Sequence, residues 1–151
     1  MSTAWLICDT TGSMADYGKR FIVRSLVRQV EQYLRFGYAQ HTDQLKLVLW
    51  NDAAVVTDWQ PDDEVPGELL ASRGSGNFAA LTQLLATYVG AADRLIFFTD
   101  GYGIEQPLSC HIAAPSNETR IIKIGPDANP RLAGSNVFEA ENLMAALDGW
   151  A

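Results

Sequence analysis

The hydrophobic positions of this chain follow two patterns that alternate along it. In the first pattern, short runs rich in apolar and β-branched residues are bounded by turn-forming residues, which is typical of buried β-strands. The runs that fit are residues 5–8, 44–50, 53–58, 94–99, 119–124 and 136–138. Asn51 and Asp52 separate the second run from the third and tolerate positive φ angles, so we expect a tight hairpin and an antiparallel pair there.

In the second pattern, apolar residues recur every three to four positions, as they do along one face of an α-helix. This spacing predicts a long helix over residues 19–36. It also predicts a helix that begins after an Asn77 N-cap and ends before Gly90. Shorter helical segments are expected at residues 68–71, 107–112 and 141–147, the last of them ending near Gly149.

Buried strands that alternate with amphipathic helices predict an α/β fold with a mainly parallel sheet. We expect a Rossmann-like, doubly wound sheet of six strands with helices on both faces. In the usual order, 3-2-1-4-5-6, the hairpin places one antiparallel strand at an edge. A chain of 151 residues has room for one such domain, so residues 1–151 are predicted to form a single unit.

Two of the apolar runs end at a carboxylate. Asp9 follows the first run and Asp100 follows the fourth, and the predicted order makes these strands neighbours at the ligand-binding edge of the sheet. Thr11 and Ser13 lie two and four residues after Asp9, so one loop can aim their hydroxyls at one point. Carboxylate and hydroxyl oxygens suit a hard divalent cation such as Mg²⁺. The sequence therefore predicts a metal site at this edge, with the glycine-rich loop 73–76 beside it.

These motifs resemble those of a von Willebrand factor type A (vWA) domain. The metal-ion-dependent adhesion site (MIDAS) of that family opens with Asp-x-Thr/Ser-x-Ser, which matches residues 9–13. The family's fourth strand and metal-proximal aspartate are similar to RLIFFTDG at residues 94–101. Further likeness lies in the hairpin at 45–56 and in the closing strand and helix at 136–147.

The resemblance implies a bound Mg²⁺ ion, with Mn²⁺ or Ca²⁺ as substitutes. The ligands that it implies in the first and second loops are Asp9, Thr11, Ser13 and Asp100. The third loop departs from the family's Gly-Gly-Thr, since residues 73–77 read Arg-Gly-Ser-Gly-Asn. By register Ser75 is the matching ligand, and Asn77 offers an alternative oxygen. The charge of Arg73 would either weaken the hold on the metal or bind a carboxylate of a partner.

The function that the resemblance implies is protein–protein interaction and not catalysis. A partner would offer an acidic side chain to the metal, and free-standing intracellular domains of this type work beside ATPases, kinases or phosphatases. Met14 and Tyr102 adjoin the expected ligands. They either form an apolar rim for the partner or lie buried beneath the loops, whereas Trp50 is expected in the core.

Two alternatives remain for the site. The loop that begins at Asp9 also resembles the nucleophile loop of haloacid-dehalogenase-type phosphoryl transferases, in which Asp9 would form an aspartyl-phosphate. Those enzymes need a positioned lysine, and this chain offers only Lys19, Lys46 and Lys123, of which Lys123 lies within a predicted strand and not at its mouth. In the second alternative the vWA fold carries a degenerate, metal-free site in which the aspartates only cap turns.

Composition narrows the choice of partner and compartment. Apolar residues make up 48% of the chain and charged residues 19%, and the net charge is −7, which argues against nucleic acid or an anionic membrane as the partner. Cys8 and Cys110 form no short-spaced pair, and His41 and His111 do not match a zinc pattern. Residues 1–8 lack the features of a signal peptide, so we expect a cytoplasmic protein.

Basic residues cluster on the polar side of the first predicted helix. Those in this segment are Lys19, Arg20, Arg24, Arg28 and Arg35. The arginines at 20, 24 and 28 are spaced to form a stripe along one side of the helix. We favour a solvated helix face, and the alternative is a docking stripe for an acidic partner.

Overall fold

Six strands form one mixed sheet in the order 3-2-1-4-5-6, as predicted. The computed structural model describes residues 2–38, 44–57, 59–60, 63–102, 118–148 and 150. Its strands are β1 (Thr3–Asp9), β2 (Gln44–Trp50), β3 (Ala54–Thr57), β4 (Arg94–Thr99), β5 (Glu118–Lys123) and β6 (Val137–Glu139). Every neighbouring pair is parallel except β2 and β3, which form the antiparallel edge. The expected doubly wound α/β fold is therefore confirmed.

Three α-helices flank the sheet within the described residues. They are α1 (Lys19–Tyr33), α2 (Phe78–Tyr88) and α3 (Leu143–Leu147). Short 3₁₀ segments cover Gly12–Gly18, Gly67–Leu70 and Ala140–Asn142, and a π-helical segment at Leu34–Tyr38 extends α1. The predicted segment at 107–112 and the predicted stop at Gly149 lie outside the described residues. In the described part of the chain, no helix combines the length and the apolarity needed to span a bilayer.

The apolar side chains form one layer on each face of the sheet. One layer joins the β1 side chains Ala4, Leu6 and Cys8 to α1 and α3. The other joins Trp5 and Ile7 to α2. Because β1 is buried on both faces, its sequence is a continuous apolar run without alternation.

The β2–β3 hairpin forms where the sequence predicts it but not by the expected turn geometry. Neither Asn51 nor Asp52 has a positive φ angle. Instead, the Asn51 side-chain oxygen accepts a hydrogen bond from Ala53 N at 3.2 Å, and Asn51 N donates to Ala53 O at 2.9 Å. The asparagine side chain thus replaces the left-handed backbone that the sequence suggested. Trp50, which precedes this turn, is fully buried, as expected.

The arginine stripe on α1 is partly tied to the rest of the chain. Arg20 donates to Leu70 O at 3.0 Å. Arg28 donates to Asp63 O and pairs with the buried carboxylate of Glu31 at 3.0 Å. Arg24 is exposed. Two of the three arginines therefore hold α1 against the segment before α2, and a docking role for the stripe stays a prediction.

Candidate metal centre

Asp9 is the last residue of β1 and lies buried in a shell of hydroxyl groups. One carboxylate oxygen, Oδ1, accepts hydrogen bonds from Thr11 N at 2.9 Å and Thr11 Oγ1 at 2.6 Å. The other, Oδ2, accepts from Thr99 Oγ1 at 2.6 Å. Burial raises the pKa of Asp9 to about 6, although the hydrogen bonds from Thr11 and Thr99 lower it, and the charge of Asp100 adds to the rise.

Thr99 belongs to the site although the sequence analysis did not select it. Its hydroxyl donates to Asp9 and accepts a hydrogen bond from Gly101 N at 2.9 Å. The parallel pairing of Cys8 with Phe98 brings the carboxyl ends of β1 and β4 side by side. The strand order that places Asp9 and Asp100 at one edge of the sheet therefore also places Thr99 there.

The predicted ligands of the first two loops lie at this edge. The hydroxyl oxygens of Thr11 and Ser13 are 3.4 Å apart. Asp100 is fully buried, and its Oδ1 accepts a hydrogen bond from Tyr102 N at 3.2 Å. Thr10 points elsewhere, since its hydroxyl donates to Trp50 O at 2.9 Å.

Lys19 occupies a position that the sequence analysis assigned wrongly. The helical pattern placed it on the basic, solvent-facing side of α1, but its side chain is fully buried. Its Nζ lies 3.0 Å from Asp100 Oδ2 and 2.8 Å from Asp127 Oδ1. Burial disfavours the charged amine, but the hydrogen bonds to Asp127 and Asp100 outweigh this effect and hold the pKa of Lys19 above its ordinary value.

Asp127 is a second residue that the sequence analysis missed. It follows the carboxyl end of β5, which pairs with β4, so the same topological rule could have found it. Tyr102 Oη donates to Asp127 O at 2.6 Å, and Asn129 N donates to Asp100 O at 2.8 Å. These bonds clamp the loop after β5 to the loop after β4.

The 73–76 loop lies against the first loop through its backbone. Arg73 N donates to Thr10 O at 2.8 Å, and Gly12 N donates to Gly74 O at 2.8 Å. Gly74 has a φ angle of +80°, and a Cβ there would lie 2.6 Å from Asp52 Oδ2, so any other residue would strain the backbone and displace the Asp52 side chain. The loop therefore sits next to the Asp9 loop, as predicted, with Ser75 exposed.

Asn77, Met14 and Tyr102 were also suggested for this region, and the three side chains lie in different environments. The Asn77 side-chain oxygen accepts a hydrogen bond from Ala80 N at 3.1 Å, which confirms the predicted N-cap and commits that oxygen to α2. Met14 is fully buried in the core, so the expectation of a rim formed by Met14 is wrong and the burial alternative holds. Tyr102 is 53% exposed and remains available to a partner.

The donors gathered here fit a hard divalent cation by their chemistry. Carboxylate and hydroxyl oxygens are the groups that Mg²⁺, Mn²⁺ and Ca²⁺ prefer. Among the described residues, no three or more His, Cys, Asp or Glu side chains are grouped as a metal cage. An ion at this edge would therefore depend on the hydroxyls of Thr11 and Ser13, and one available carboxylate, Asp100, already carries a paired cation.

Neither the protein-family models nor the curated proteins include a match to this sequence, but its fold is similar to that of several solved structures. Proximal thread matrix protein 1 from the mussel byssus superposes with a TM-score of 0.65 at 13% identity, over 98% of this chain and 47% of that one. The von Willebrand factor type A structure from Catenulispora acidiphila gives a TM-score of 0.55 at 16% identity, over 97% and 40%. The chain has the vWA fold.

Two of the vWA neighbours have metal in their structures. The TRAP protein of Plasmodium vivax, with a TM-score of 0.58 and 14% identity over 99% of this chain and 73% of its own, is manganese-loaded. A further structure of the mussel protein has a zinc-occupied MIDAS motif. At these identities the similarity shows the fold alone. The chain also spans less than half the length of the mussel and Catenulispora structures.

Proposed function

We propose that this chain is a divalent-cation-dependent protein-binding module of the vWA type, formed by residues 1–151 as one domain. The proposed partner is another protein that offers an acidic side chain at the ion. The proposed ion is Mg²⁺, with Mn²⁺ or Ca²⁺ as substitutes, and the proposed ligands are Asp9, Thr11, Ser13, Ser75 and Asp100. As the motif resemblance implies, we place the module in a cytoplasmic complex with an ATPase, kinase or phosphatase.

The observation that carries this proposal is the convergence of oxygen donors where β1 and β4 end. Asp9 and Asp100 come from adjacent parallel strands. The hydroxyls of Thr11 and Thr99 both donate to Asp9 and so orient its carboxylate. Thr11 keeps a lone pair for an ion, whereas Thr99 already accepts from Gly101 N. Three loops meet at this edge, because the 73–76 loop is bonded to the Asp9 loop.

The chain's own residues suggest how a partner would be recognised. A bound divalent ion would supply a Lewis-acidic site for a carboxylate oxygen of the partner. Arg73 is exposed on the loop whose backbone is bonded to the Asp9 loop, and we propose that its charge attracts the same negative group. Tyr102 presents an exposed ring held by its hydrogen bond to Asp127 O. Aromatic and arginine side chains are enriched at protein interfaces, which fits this arrangement.

The geometry favours binding over phosphoryl transfer at Asp9. Both of its oxygens accept hydrogen bonds from groups of this chain, and these bonds withdraw electron density from the carboxylate and weaken it as a nucleophile. The Cys8 thiol next to it is no substitute nucleophile, because burial and the charge of Asp9 raise its pKa far above the ordinary value. We therefore propose that the module is not an enzyme.

Calorimetric titration of Mn²⁺ and Mg²⁺ into the metal-stripped protein tests the site. We expect saturable binding in the wild type and its loss in Asp9→Ala. Ser13→Ala removes one hydroxyl whose described contact is with Thr11, and it should weaken binding several-fold. Ser25→Ala is the matched control, because that serine lies on the exposed side of α1, bonded to Gln29. Absence of binding in the wild type, or equal effects of the two serine variants, would contradict the proposal.

A second measurement tests for a coordination position open to a partner. Water exchanging at protein-bound Mn²⁺ enhances the relaxation rate of solvent protons. Addition of a short glutamate-containing peptide should reduce this enhancement saturably, whereas the same peptide with glutamine should not. An unchanged enhancement would show that no carboxylate reaches the ion.

A further inference from the structure

The ammonium group of Lys19 forms an ion pair with Asp100, a carboxylate that the proposed site needs. Lys19 and Asp100 are both fully buried, and Nζ lies 3.0 Å from Asp100 Oδ2. Removing an ammonium from water carries a large desolvation cost unless paired charges and hydrogen bonds offset it. Two carboxylates offset it here, those of Asp100 and Asp127.

The backbone around Lys19 leaves room for its side chain. Gly125 has a φ angle of +90°, and a Cβ at this position would lie 2.8 Å from Lys19 Cδ. The residues before Lys19, Tyr17 and Gly18, have φ angles of 56° and 68°. A left-handed tyrosine is unusual, so the turn that leads directly into Lys19 has a strained backbone conformation.

Asp127 gives the ammonium a second anchor outside the core. Its side chain is 34% exposed, in contrast to that of Asp100. The Tyr102 hydroxyl holds its backbone carbonyl at 2.6 Å. Lys19 can therefore leave Asp100 and still keep one charged partner.

We propose that Lys19 is a built-in competitor of the divalent ion for Asp100, so that metal binds only by displacing the ammonium toward Asp127. The inference rests on the proposed metal-dependent function and adds a control element to it. An ammonium and a divalent ion at one carboxylate oxygen repel each other strongly, because little water is present there to screen the charges. Lys19 would thus keep the metal-free domain stable and set the ion concentration at which a partner can bind.

Lys19→Met tests this directly, since methionine fills the space of the apolar lysine stem without carrying a charge. We expect Mn²⁺ affinity to rise on the order of 10- to 100-fold, the usual range for coupled sites. The thermal midpoint of the metal-free variant should fall at the same time, because Asp100 loses its cation. Lys46→Met is the matched control, as Lys46 is exposed on β2, and it should change neither quantity.

The outcomes separate this inference from the proposed function. If the wild type binds Mn²⁺ and Lys19→Met binds it equally or more weakly, Lys19 is a structural residue and the inference fails while the function stands. If only Lys19→Met binds, the competition is confirmed and the wild-type site is metal-free. Absence of binding in both proteins overturns both.

Asp127→Asn provides a second variant should Lys19→Met fail to fold. With its outer anchor weakened, the ammonium should hold Asp100 more tightly, so Mn²⁺ affinity should fall several-fold. Asp16→Asn, at an exposed position in the segment before α1, controls for the loss of one nearby negative charge. Equal effects of the two substitutions would overturn the inference.

Discussion

Asp93 provides a test of how the sheet is held at the end opposite the proposed metal centre. It lies just before β4, and its Oδ1 accepts a hydrogen bond from Thr3 N at 2.9 Å. Its Oδ2 accepts from Trp5 Nε1 at 3.1 Å and from Gly90 N at 2.8 Å. One carboxylate thus joins the start of β1, the turn after α2 and the start of β4. We predict that Asp93→Asn destabilises the fold without affecting metal binding.

The magnitude follows from the hydrogen bonds that asparagine cannot make. A hydrogen bond to a charged group contributes about 1.5–3 kcal/mol. The side-chain amide of the asparagine has only one acceptor oxygen. Its NH₂ group would face at least one of the three N–H donors, and the hydrogen bonds that remain would no longer be made to a charged group. We expect a loss of about 2–3 kcal/mol in unfolding free energy, which lowers the melting temperature of a chain of this size by about 4–12 °C.

The pH dependence gives a second signature. Burial opposes ionisation of Asp93, but hydrogen bonds from Gly90, Thr3 and Trp5 outweigh it and hold its pKa below the ordinary value. A carboxyl whose pKa is lowered by folding stabilises the fold above its unfolded pKa of about 3.9, and this contribution is lost as the pH falls through the folded pKa. The difference between wild type and Asp93→Asn should therefore be constant above about pH 5 and shrink below about pH 4.

Thermal and urea unfolding followed by circular dichroism measure both effects. Asp148→Asn is the control, because this exposed aspartate follows α3, and its substitution should change stability by less than about 0.5 kcal/mol. A melting temperature of Asp93→Asn equal to that of the control would refute the reasoning. So would a difference that persists unchanged into strong acid.

Two further predictions concern catalysis and the arginine stripe. With generic phosphomonoesters, wild type and Asp9→Ala should show the same background hydrolysis, and turnover that depends on Asp9 would favour the phosphoryl-transfer alternative. Arg28→Gln should lower the unfolding free energy by about 1–2 kcal/mol, because it breaks bonds to Asp63 O and to the buried Glu31. Arg24→Gln, on the exposed side of the same helix, should be nearly neutral, and both arginine variants should bind Mn²⁺ as the wild type does; equal destabilisation would contradict this account of the stripe.

The strands and helices could be predicted because burial requires apolar residues at regular positions in the sequence. The apolar runs of β1 and β4 reflect burial on both faces of the sheet, and the spacing in α2 reflects burial on one. The α2 boundary was also predictable, since Asn77 caps its own helix through a contact three residues away. Local features of this kind need no knowledge of the tertiary structure.

Lys19 could not be placed by the same reasoning. Its helical position is compatible with the basic side of α1, and its burial depends on Asp127, 108 residues further along the chain. The space for its side chain depends on Gly125, whose backbone conformation the sequence does not reveal. Strand order could have predicted that Asp100 and Asp127 share an edge, but not that a lysine joins them.

The two ends of the β1–β4 pair differ in the donors that surround their aspartates. At the amino end, Asp93 is held by backbone and indole N–H groups, which can only donate and which folding fixes in place. At the carboxyl end, Asp9 accepts hydrogen bonds from two hydroxyls, which also have lone pairs, and from Thr11 N. Asp100 accepts from Tyr102 N and is paired with an ammonium on a flexible stem. An entering cation can redirect hydroxyls and displace an ammonium, but it cannot displace a backbone N–H without unfolding the turn. We therefore predict that the movable donors around Asp9 and Asp100, which Asp93 lacks, leave those two carboxylates available to a ligand.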